Sequence, residues 1–134
     1  AIARSALCTG VHAIIISEKG SVRITADAMK ASAGALHKIP ICKVRLLDKA
    51  INYLKSNGLQ IVATGLKGKQ YLHQIDLNVP TVVLLGAEGE GLSPKFLKLA
   101  DQVVKIPIVA DFDSYNVSVA AGIVLYESLK QRLL

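Results

Sequence analysis

The sequence has little of several things, and each shortage excludes a class of protein. It has no tryptophan and an aromatic content of only 4%, a poor basis for the OB-fold or RRM type of RNA recognition, which stacks bases on several rings. No apolar run reaches the roughly 20 residues that a transmembrane helix needs. The opening residues, AIARSALCTG, show no signal peptide. We therefore expect a cytoplasmic protein without a membrane partner.

Cysteine and histidine are also sparse. Cys8 and Cys42 lack the spacing of metal ligands. We expect them to be small buried hydrophobic residues in a reducing compartment rather than a disulfide. The histidines, His12, His37 and His73, are scattered and form no legible Ser-His-Asp or Cys-His set. We predict no metal site, and a structural or surface role for each histidine.

Basic residues outnumber acidic ones. Lysine and arginine total 16 against 10 acids, a net charge of +6. This surplus suits a polyanion such as nucleic acid, although an ordinary soluble basic surface would give the same balance. Lys67 and Lys69 illustrate both possibilities, because a solvated loop is the simpler interpretation while their charges would suit RNA phosphates.

Apolar runs alternate with helix-like segments along the chain. Predicted strands cover 12–17, 40–46, 59–65, 81–86 and 102–108. Predicted helices cover 24–36, 48–58, 93–101 and 116–133. The N-cap candidates are Thr25, Asp48 and Ser93, and Gly58 is expected to end the second of these helices. Because the strands are continuously apolar, we predict a single α/β domain over residues 1–134, with a mostly parallel sheet and helices on both faces.

The first residues resemble the end of a helix capped by Gly10. A parallel α/β domain normally opens with a strand, so we expect this domain to lack its first strand.

The segment VVLLGAEGEGLS (82–93) is the most unusual in the chain. Glycines at 86, 89 and 91 permit close backbone approach and positive φ, and a turn that served only geometry would not need Glu88 and Glu90. The segment lacks the lysine of a GxxxxGK[ST] phosphate loop and the GxGxxG spacing of a dinucleotide site. A nucleotide-dependent enzyme of the doubly wound type is therefore disfavoured.

Ligands of open parallel sheets bind at the carboxyl ends of the strands. The segments there are TGLKGK (64–69), GAEGEGLS (86–93) and IPIVADFDSYNVS (106–118). In the third, Ser114, Asn116 and Ser118 stand at alternate positions before the last helix, and either Ser114 or Asn116 is expected to serve as its N-cap. That helix contains Ala120, Ala121 and Gly122, which permit close packing against another element or a second subunit.

The chain resembles the SpoU/TrmH family of SPOUT RNA 2′-O-ribose methyltransferases. The resemblance rests on AIARSA (1–6), LLGAEGEGLSP (84–94) and IPIVADFDSYNVSVAAGIVLYE (106–127), supported by ASAGAL (31–36) followed by Pro40. It covers essentially the whole chain. It implies a C-terminal trefoil knot, S-adenosylmethionine (AdoMet) as methyl donor, and a homodimer formed through the C-terminal helix region.

The resemblance also implies roles for individual residues. Catalytic roles fall to Arg4, Glu88, Ser114 and Asn116. In this family the matching arginine is the proposed base or activator, but arginine is protonated far above neutral pH, so we expect Arg4 to position a phosphate and stabilise alkoxide charge. Glu88 is expected to hold the polar residues of the first motif in place, and Ser114 and Asn116 to orient Arg4 or the ribose. The role of Glu90 stays open. Cofactor contacts are expected from Thr64, Gly65, Leu66, Leu85, Gly86, Ala87, Glu88, Ile106, Ile108, Asn116 and Ser118.

The sequences GAEGEGLS and ASAGAL resemble the ribosomal RNA guanosine enzymes of the family more than its tRNA enzymes. We therefore expect RNA, and rRNA before tRNA, as substrate. The family's first motif also has an asparagine upstream of the arginine, and many relatives carry an N-terminal RNA-binding domain; the sequence contains neither. An RNA-binding module without catalytic activity is the alternative within the same fold.

Overall fold

The computed structural model describes residues 1–19, 26–86 and 91–134. The strands are β1 (Ile14–Ser17), β2 (Ile41–Val44), β3 (Gln60–Thr64), β4 (Gln70–Tyr71), β5 (Thr81–Leu84) and β6 (Gln102–Lys105). The helices are α1 (Ile2–Cys8), α2 (Ala26–Ala31), α3 (Ala35–Lys38), α4 (Leu47–Ser56), α5 (Pro94–Leu99) and α6 (Val117–Leu133), and a 3₁₀ turn covers Leu72–Gln74.

Every strand pairing in the described residues is parallel. Four strands form one sheet in the order β4-β6-β3-β5, and β1 pairs with β2 in a second sheet. The central strand β3 is the most deeply buried, with Ile61, Val62 and Ala63 fully inaccessible. A run of apolar residues without alternation therefore marks a strand covered on both faces, as predicted.

Helices cover the two faces of the larger sheet. On one face Val62 and Val104 pack with Val124 of α6 in the main hydrophobic cluster. Successive side chains of a strand point to opposite faces, so Ile61 and Ala63 face the other way, where α4 and α5 contact β3. The α/β architecture with helices on both faces of a parallel sheet is confirmed.

A second hydrophobic cluster joins the start of the chain to its end. Ala3 and Ala6 of α1 pack with Ala35 and Ile39, and Leu125 of α6 lies against the same cluster. Small residues on α1 let the helices approach closely. The position of α1, the helix that carries Arg4, is therefore fixed by packing against α6.

Most predicted helices are confirmed within a few residues, with two corrections. The segment 24–36 is not one helix, because Ala33 and Gly34 take positive φ of 54° and 82° and separate α2 from α3. The hydroxyl of buried Ser32 donates to the carbonyl of Met29 at 2.8 Å and accepts from a backbone N–H, and this competes with regular helix formation. The predicted cap Thr25 lies outside the described residues.

Asp48 is not the N-cap of α4. The helix begins at Leu47, and Asp48 lies in its first turn, where its carboxylate pairs with Lys95 of α5 at 3.2 Å. The hydrogen bond from Lys95 lowers the pKa of Asp48. Gly58 does end the helix, with φ of 89°.

The cysteine prediction was wrong about burial. Cys8 and Cys42 are free thiols, but both are exposed. The inward positions of α1 are taken by Ala3 and Ala6, and Cys42 lies in the middle of β2, where its neighbour Lys43 is exposed as well. No helix in the described part of the chain is long and apolar enough to cross a membrane. Within the same residues no cluster of three potential metal ligands is found.

Asp101 joins three elements at the amino end of the larger sheet. Its carboxylate accepts a hydrogen bond from the backbone N–H of Ile61 at 2.8 Å and pairs with Lys55 of α4 at 3.1 Å. The N–H of Ile61 and, second, Lys55 lower the pKa of Asp101. The stabilisation that this carboxylate provides is therefore complete above its unfolded-state pKa of about 3.9 and is lost as the pH falls through the lower folded-state pKa.

We expect Asp101→Asn to lower the free energy of unfolding at pH 7 by about 1 kcal/mol, since the amide keeps a weaker acceptor and solvent screens the partly exposed ion pair. The difference from wild type should shrink below pH of about 4 as the native carboxylate is protonated. Urea unfolding at a series of pH values measures both. Asp111→Asn is the matched control, because Asp111 is an exposed carboxylate of the segment between β6 and α6. An equal pH dependence in the two variants would contradict the assignment.

Candidate functional site

Three loops leave the larger sheet at the carboxyl ends of its strands. In β3, Ala63 pairs with Leu84 of β5 on one side and with Val103 of β6 on the other. Because the three strands are adjacent and parallel, the segments that follow them, 65–69, 85–93 and 106–116, start side by side. We call these the three site loops. They contain the predicted residues that follow the strands, Gly65, Leu66, Leu85, Gly86, Ile106 and Ile108.

The first site loop is pressed onto β6. The N–H of Gly65 donates to the carbonyl of Val104 at 2.9 Å, and the N–H of Gly68 donates to the carbonyl of Gly65 at 3.1 Å. A Cβ atom built on Gly68 would lie 2.7 Å from the carbonyl carbon of Val104. Only glycine permits this contact, so Gly68 fixes the distance between the first site loop and β6.

The second site loop closes on itself. A Cβ atom on Gly86 would lie 2.3 Å from the carbonyl carbon of Gly91 and 2.5 Å from the nitrogen of Leu92. Gly91 has a φ of 67°, in the left-handed region. The two ends of the loop thus meet backbone to backbone, which explains the glycines at 86 and 91. Ala87, Glu88 and Glu90, which the sequence places in this loop, lie outside the described residues.

The third site loop is held by side-chain hydrogen bonds. The hydroxyl of Tyr115 donates to the carbonyl of Pro107 at 2.8 Å and so ties together the two ends of the loop. Asn116 is the N-cap of α6, because its Oδ1 accepts from the backbone N–H of Ser118 at 2.9 Å. The hydroxyl of Ser118 donates to the same oxygen. Ser114 is exposed on this loop.

The outer surface of the third site loop is apolar and uncovered. Val109 is 104% exposed and Phe112 is 76% exposed. Beside this loop lies an open cleft of about 460 Å³, lined on one side by Ile106 and Pro107 and on the other by Val119, Gly122 and Tyr126 of α6. Exposed apolar surface of this kind marks a place for a ligand or a partner.

Arg4 lies on α1, away from these loops in sequence. Its side chain is exposed, and no hydrogen bond or ion pair to it is found in the described part of the chain. The helix that carries it packs against α6, whose first turn follows the third site loop. The guanidinium is therefore available for a ligand.

The sequence profile of the SpoU rRNA Methylase family matches residues 1–126. The chain belongs to this family. A relative from Mycolicibacterium smegmatis, described as an uncharacterized tRNA/rRNA methyltransferase, is 38% identical over 132 residues, which are 98% of this chain and 42% of the relative. The 23S rRNA (guanosine-2′-O-)-methyltransferase RlmB of Photorhabdus laumondii is 36% identical over 96% of this chain and 53% of its own length. The chain thus spans about half the length of these curated relatives.

Solved structures of the SpoU family have the same fold. The AdoMet-bound rRNA methyltransferase from Sinorhizobium meliloti superposes with a TM-score of 0.89 at 30% identity, over 99% of this chain and 51% of that one. The SpoU methyltransferase AviRb from Streptomyces viridochromogenes superposes with a TM-score of 0.91 at 28% identity, over 98% of this chain and 53% of that one. The recognition of the family from three short motifs is confirmed.

The structure brings together part of the predicted SpoU-family site. Thr64 ends β3, and the other described cofactor candidates lie on the site loops or at the start of α6. Arg4 lies on a separate helix. The sequence analysis missed three residues that fix the conformation of the site loops: Gly68, Pro107 and Tyr115. The pattern TGLKGK contained the signal for Gly68, since a second glycine three residues after the first is typical of a tight turn. Nothing in the sequence pairs Tyr115 with Pro107.

Proposed function

We propose that residues 1–134 form the catalytic domain of an RNA methyltransferase that transfers a methyl group from AdoMet to a ribose 2′-hydroxyl. The observation that carries the proposal is that the three site loops converge at the carboxyl ends of the strands, in a chain that belongs to the SpoU family. The AdoMet-bound relative supports the identity of the cofactor. We favour rRNA over tRNA as substrate, and the similarity to an enzyme named for 23S rRNA supports this preference.

The site loops fit the chemistry of AdoMet. An adenosine needs polar backbone groups beside apolar surface, and the site loops combine the backbone around Gly65 and Gly86 with the apolar side chains of Leu66, Ile106 and Ile108. The residues that we propose to hold the cofactor are Thr64, Gly65, Leu66, Leu85, Gly86, Ala87, Glu88, Ile106, Ile108, Asn116 and Ser118. The hydrogen bond from Tyr115 to Pro107 keeps the third site loop in one conformation before the cofactor binds, which lowers the entropic cost of binding.

When bound, AdoMet supplies a methyl group attached to a positively charged sulfur. The sulfur is a good leaving group, because it departs as a neutral thioether. The protein must then align the ribose hydroxyl and stabilise the oxygen as its proton leaves. We propose that Arg4 binds the adjacent phosphate and stabilises the developing alkoxide. Since its guanidinium stays protonated at neutral pH, Arg4 does not accept the proton, which passes to solvent water. As the bond between the ribose oxygen and the methyl carbon forms, the sulfur–methyl bond would break and S-adenosylhomocysteine would leave as a neutral thioether. Ser114 and Asn116 orient Arg4 or the ribose, and Glu88 holds the site's polar residues.

We propose that two copies of the protein pair through the C-terminal helix region. On α6, Val119 is 50% exposed and Tyr126 is 61% exposed, with Gly122 between them and nothing within 4 Å of a Cβ atom built there. This open apolar face forms one wall of the cleft beside the third site loop. A second copy that covers it would also contact Ile106 and Pro107 and so complete the surroundings of the cofactor.

The family also implies a trefoil knot in the C-terminal part of the chain and a cytoplasmic location, and we propose both. The close contact of Gly68 with β6 is compatible with the tight packing of separate segments that a knot requires. The two free cysteines are compatible with a reducing compartment.

The proposal is tested by transfer of labelled methyl from AdoMet to unmodified ribosomal RNA and to tRNA, assayed side by side. We expect label in rRNA at one site that resists alkaline cleavage, since a 2′-O-methyl group blocks attack on the phosphate. Calorimetry with AdoMet alone is run in parallel. Binding of AdoMet without transfer to either RNA would overturn the substrate assignment, and failure to bind AdoMet would favour an RNA-binding module without catalysis.

A further inference from the structure

A strip of basic and aromatic side chains runs along the free edge of the larger sheet. The edge strand β4 pairs only with β6 among the described residues. We define the β4-edge strip as Lys67, Lys69, Tyr71, His73 and Lys105. Lys67, Lys69 and His73 are exposed, and Tyr71 is 38% exposed. Lys67 and Lys69 lie on the first site loop and His73 lines the cleft beside the third site loop, but none of the five is among the residues proposed to hold AdoMet or to act in methyl transfer.

Two rings of the strip are ordered by their neighbours. The rings of Tyr71 and His73 lie nearly parallel, with an angle of 12° between their planes and 5.9 Å between their centroids. The ammonium of Lys105 lies 4.7 Å from the centroid of the Tyr71 ring, a cation–π contact that holds the ring in place. The pair therefore offers a preformed surface on which a planar base can stack.

The strip is electropositive because the nearby acids are already paired. Asp101 shares a groove of about 530 Å³ with Lys67 and Lys69, but it forms an ion pair with Lys55. Glu127 is hydrogen-bonded to Gln131 and paired with Lys130, and the hydrogen bond from Gln131 is the main cause that lowers the pKa of Glu127. The charges of Lys67 and Lys69 are thus left for an anionic partner.

The strip is continuous with the proposed methyl-transfer site. Lys67 and Lys69 belong to the first site loop, and Lys105 is the last residue of β6, immediately before the third site loop. A chain of phosphates and bases that leaves the site in this direction meets two lysines and then two rings. Alternating charge and aromatic surface is what single-stranded nucleic acid requires.

We propose that the β4-edge strip binds the single-stranded RNA that flanks the methylated nucleotide. Lys67 and Lys69 contact consecutive phosphates, and the Tyr71–His73 ring pair stacks one base. Lys105 fixes Tyr71 and adds to the positive potential. The proposal rests on the proposed function for the identity of the partner as RNA, and it adds where that RNA lies and in which form it is bound.

The charge contribution is tested with the double variant Lys67→Glu/Lys69→Glu. The probe is a fluorescein-labelled single-stranded oligoribonucleotide of about 12 nucleotides, long enough to fill a typical site. We expect its affinity, measured by anisotropy without AdoMet, to fall at least about tenfold at 0.1 M salt, and the slope of log affinity against log salt to fall by about 1.4, the value for two lost phosphate contacts. The matched control Lys43→Glu/Lys49→Glu makes the same charge change at exposed residues of β2 and α4. An equal loss in the control would overturn the proposal, since net charge alone would then explain binding.

The stacking contribution is tested with His73→Ala against His37→Ala, an exposed histidine of α3. We expect His73→Ala to lower affinity for the single strand at least about fivefold without changing the salt slope, because a stacked base is lost and no phosphate contact is. A fully duplexed probe should bind both variants alike. Unchanged affinity in His73→Ala would overturn the stacking assignment. Light scattering is run on every variant, and a change of oligomeric state in the strip variants would show that the strip is a subunit interface instead.

These measurements separate the strip from the catalytic assignment. If the wild-type protein transfers methyl to RNA but the strip variants bind RNA normally, the strip proposal alone fails. If the strip variants lose RNA as expected but AdoMet does not bind the wild type, the proposed methyl transfer fails and the RNA surface stands.

Discussion

Replacing Gly86 with alanine is expected to abolish measurable AdoMet binding, with a loss of at least about 100-fold in affinity, and to lower the free energy of unfolding by about 2–3 kcal/mol. The added methyl would lie 2.3 Å from the carbonyl carbon of Gly91 and 2.5 Å from the nitrogen of Leu92. Both are backbone atoms, so no side chain can rotate away. The two ends of the second site loop must separate, and this displaces the backbone that we propose to hold the cofactor.

Gly91→Ala is the matched control for this variant. It places the same methyl at the other end of the same loop, where a Cβ atom meets nothing within 4 Å. Only the strain of a φ of 67° remains, which costs about 1–2 kcal/mol for a residue with a Cβ. We expect AdoMet affinity, measured by calorimetry, to fall much less than in Gly86→Ala. Equal losses in the two variants would mean that glycine flexibility, not close contact, is what the loop needs.

The larger sheet was predictable because its strands carry a strong local signal. The run TVVLLG and the run LQIVATG are apolar without alternation, which favours strands of a parallel sheet. The second run forms the buried strand β3, whereas the first forms β5, which is half-buried at the end of the described sheet. The end of α4 was equally predictable, since Gly58 takes the left-handed conformation that ends a helix. Local chemistry and the global fold agree at these positions.

The elements that were missed depend on distant partners. β4 is only Gln70–Tyr71, and it is a strand because it pairs with Val104 and Lys105 of β6. The segment that follows is held from the other end of the chain, where the side chain of Gln131 accepts from the N–H of Leu77 at 2.8 Å and donates to the carbonyl of Ile75 at 3.2 Å. No pattern within residues 70–77 contains this information.

The candidate site was predictable in its loops but not in its internal contacts. The order of apolar strands predicted that the three site loops lie together at the carboxyl ends of the strands. The glycines at 86 and 91 indicated a close backbone contact. The alternation of Ser114, Asn116 and Ser118 left open which residue caps α6, and the structure assigns the cap to Asn116. An N-cap restrains the backbone just before the helix, so Asn116 also fixes the end of the third site loop.

Arg4→Ala is expected to lower the rate of methyl transfer by about 10²–10³-fold, the usual effect of removing one group that stabilises developing negative charge. AdoMet affinity should stay within about twofold of wild type, because Arg4 is not among the residues proposed to hold the cofactor. The free energy of unfolding should change by less than about 0.5 kcal/mol, since Arg4 is exposed and alanine is a good helix former.

Two further variants separate the roles of Arg4. Arg4→Lys keeps a positive charge but loses the planar fork that grips a phosphate at two points, so we expect partial activity with weaker binding of RNA. Arg45→Ala removes an exposed arginine immediately after β2 and should leave transfer unchanged. The measurements are single-turnover transfer of labelled methyl, calorimetry with AdoMet, and RNA binding. Full transfer by Arg4→Ala would make Arg4 a surface residue of α1, and the stabilisation of the alkoxide would have to come from the third site loop instead.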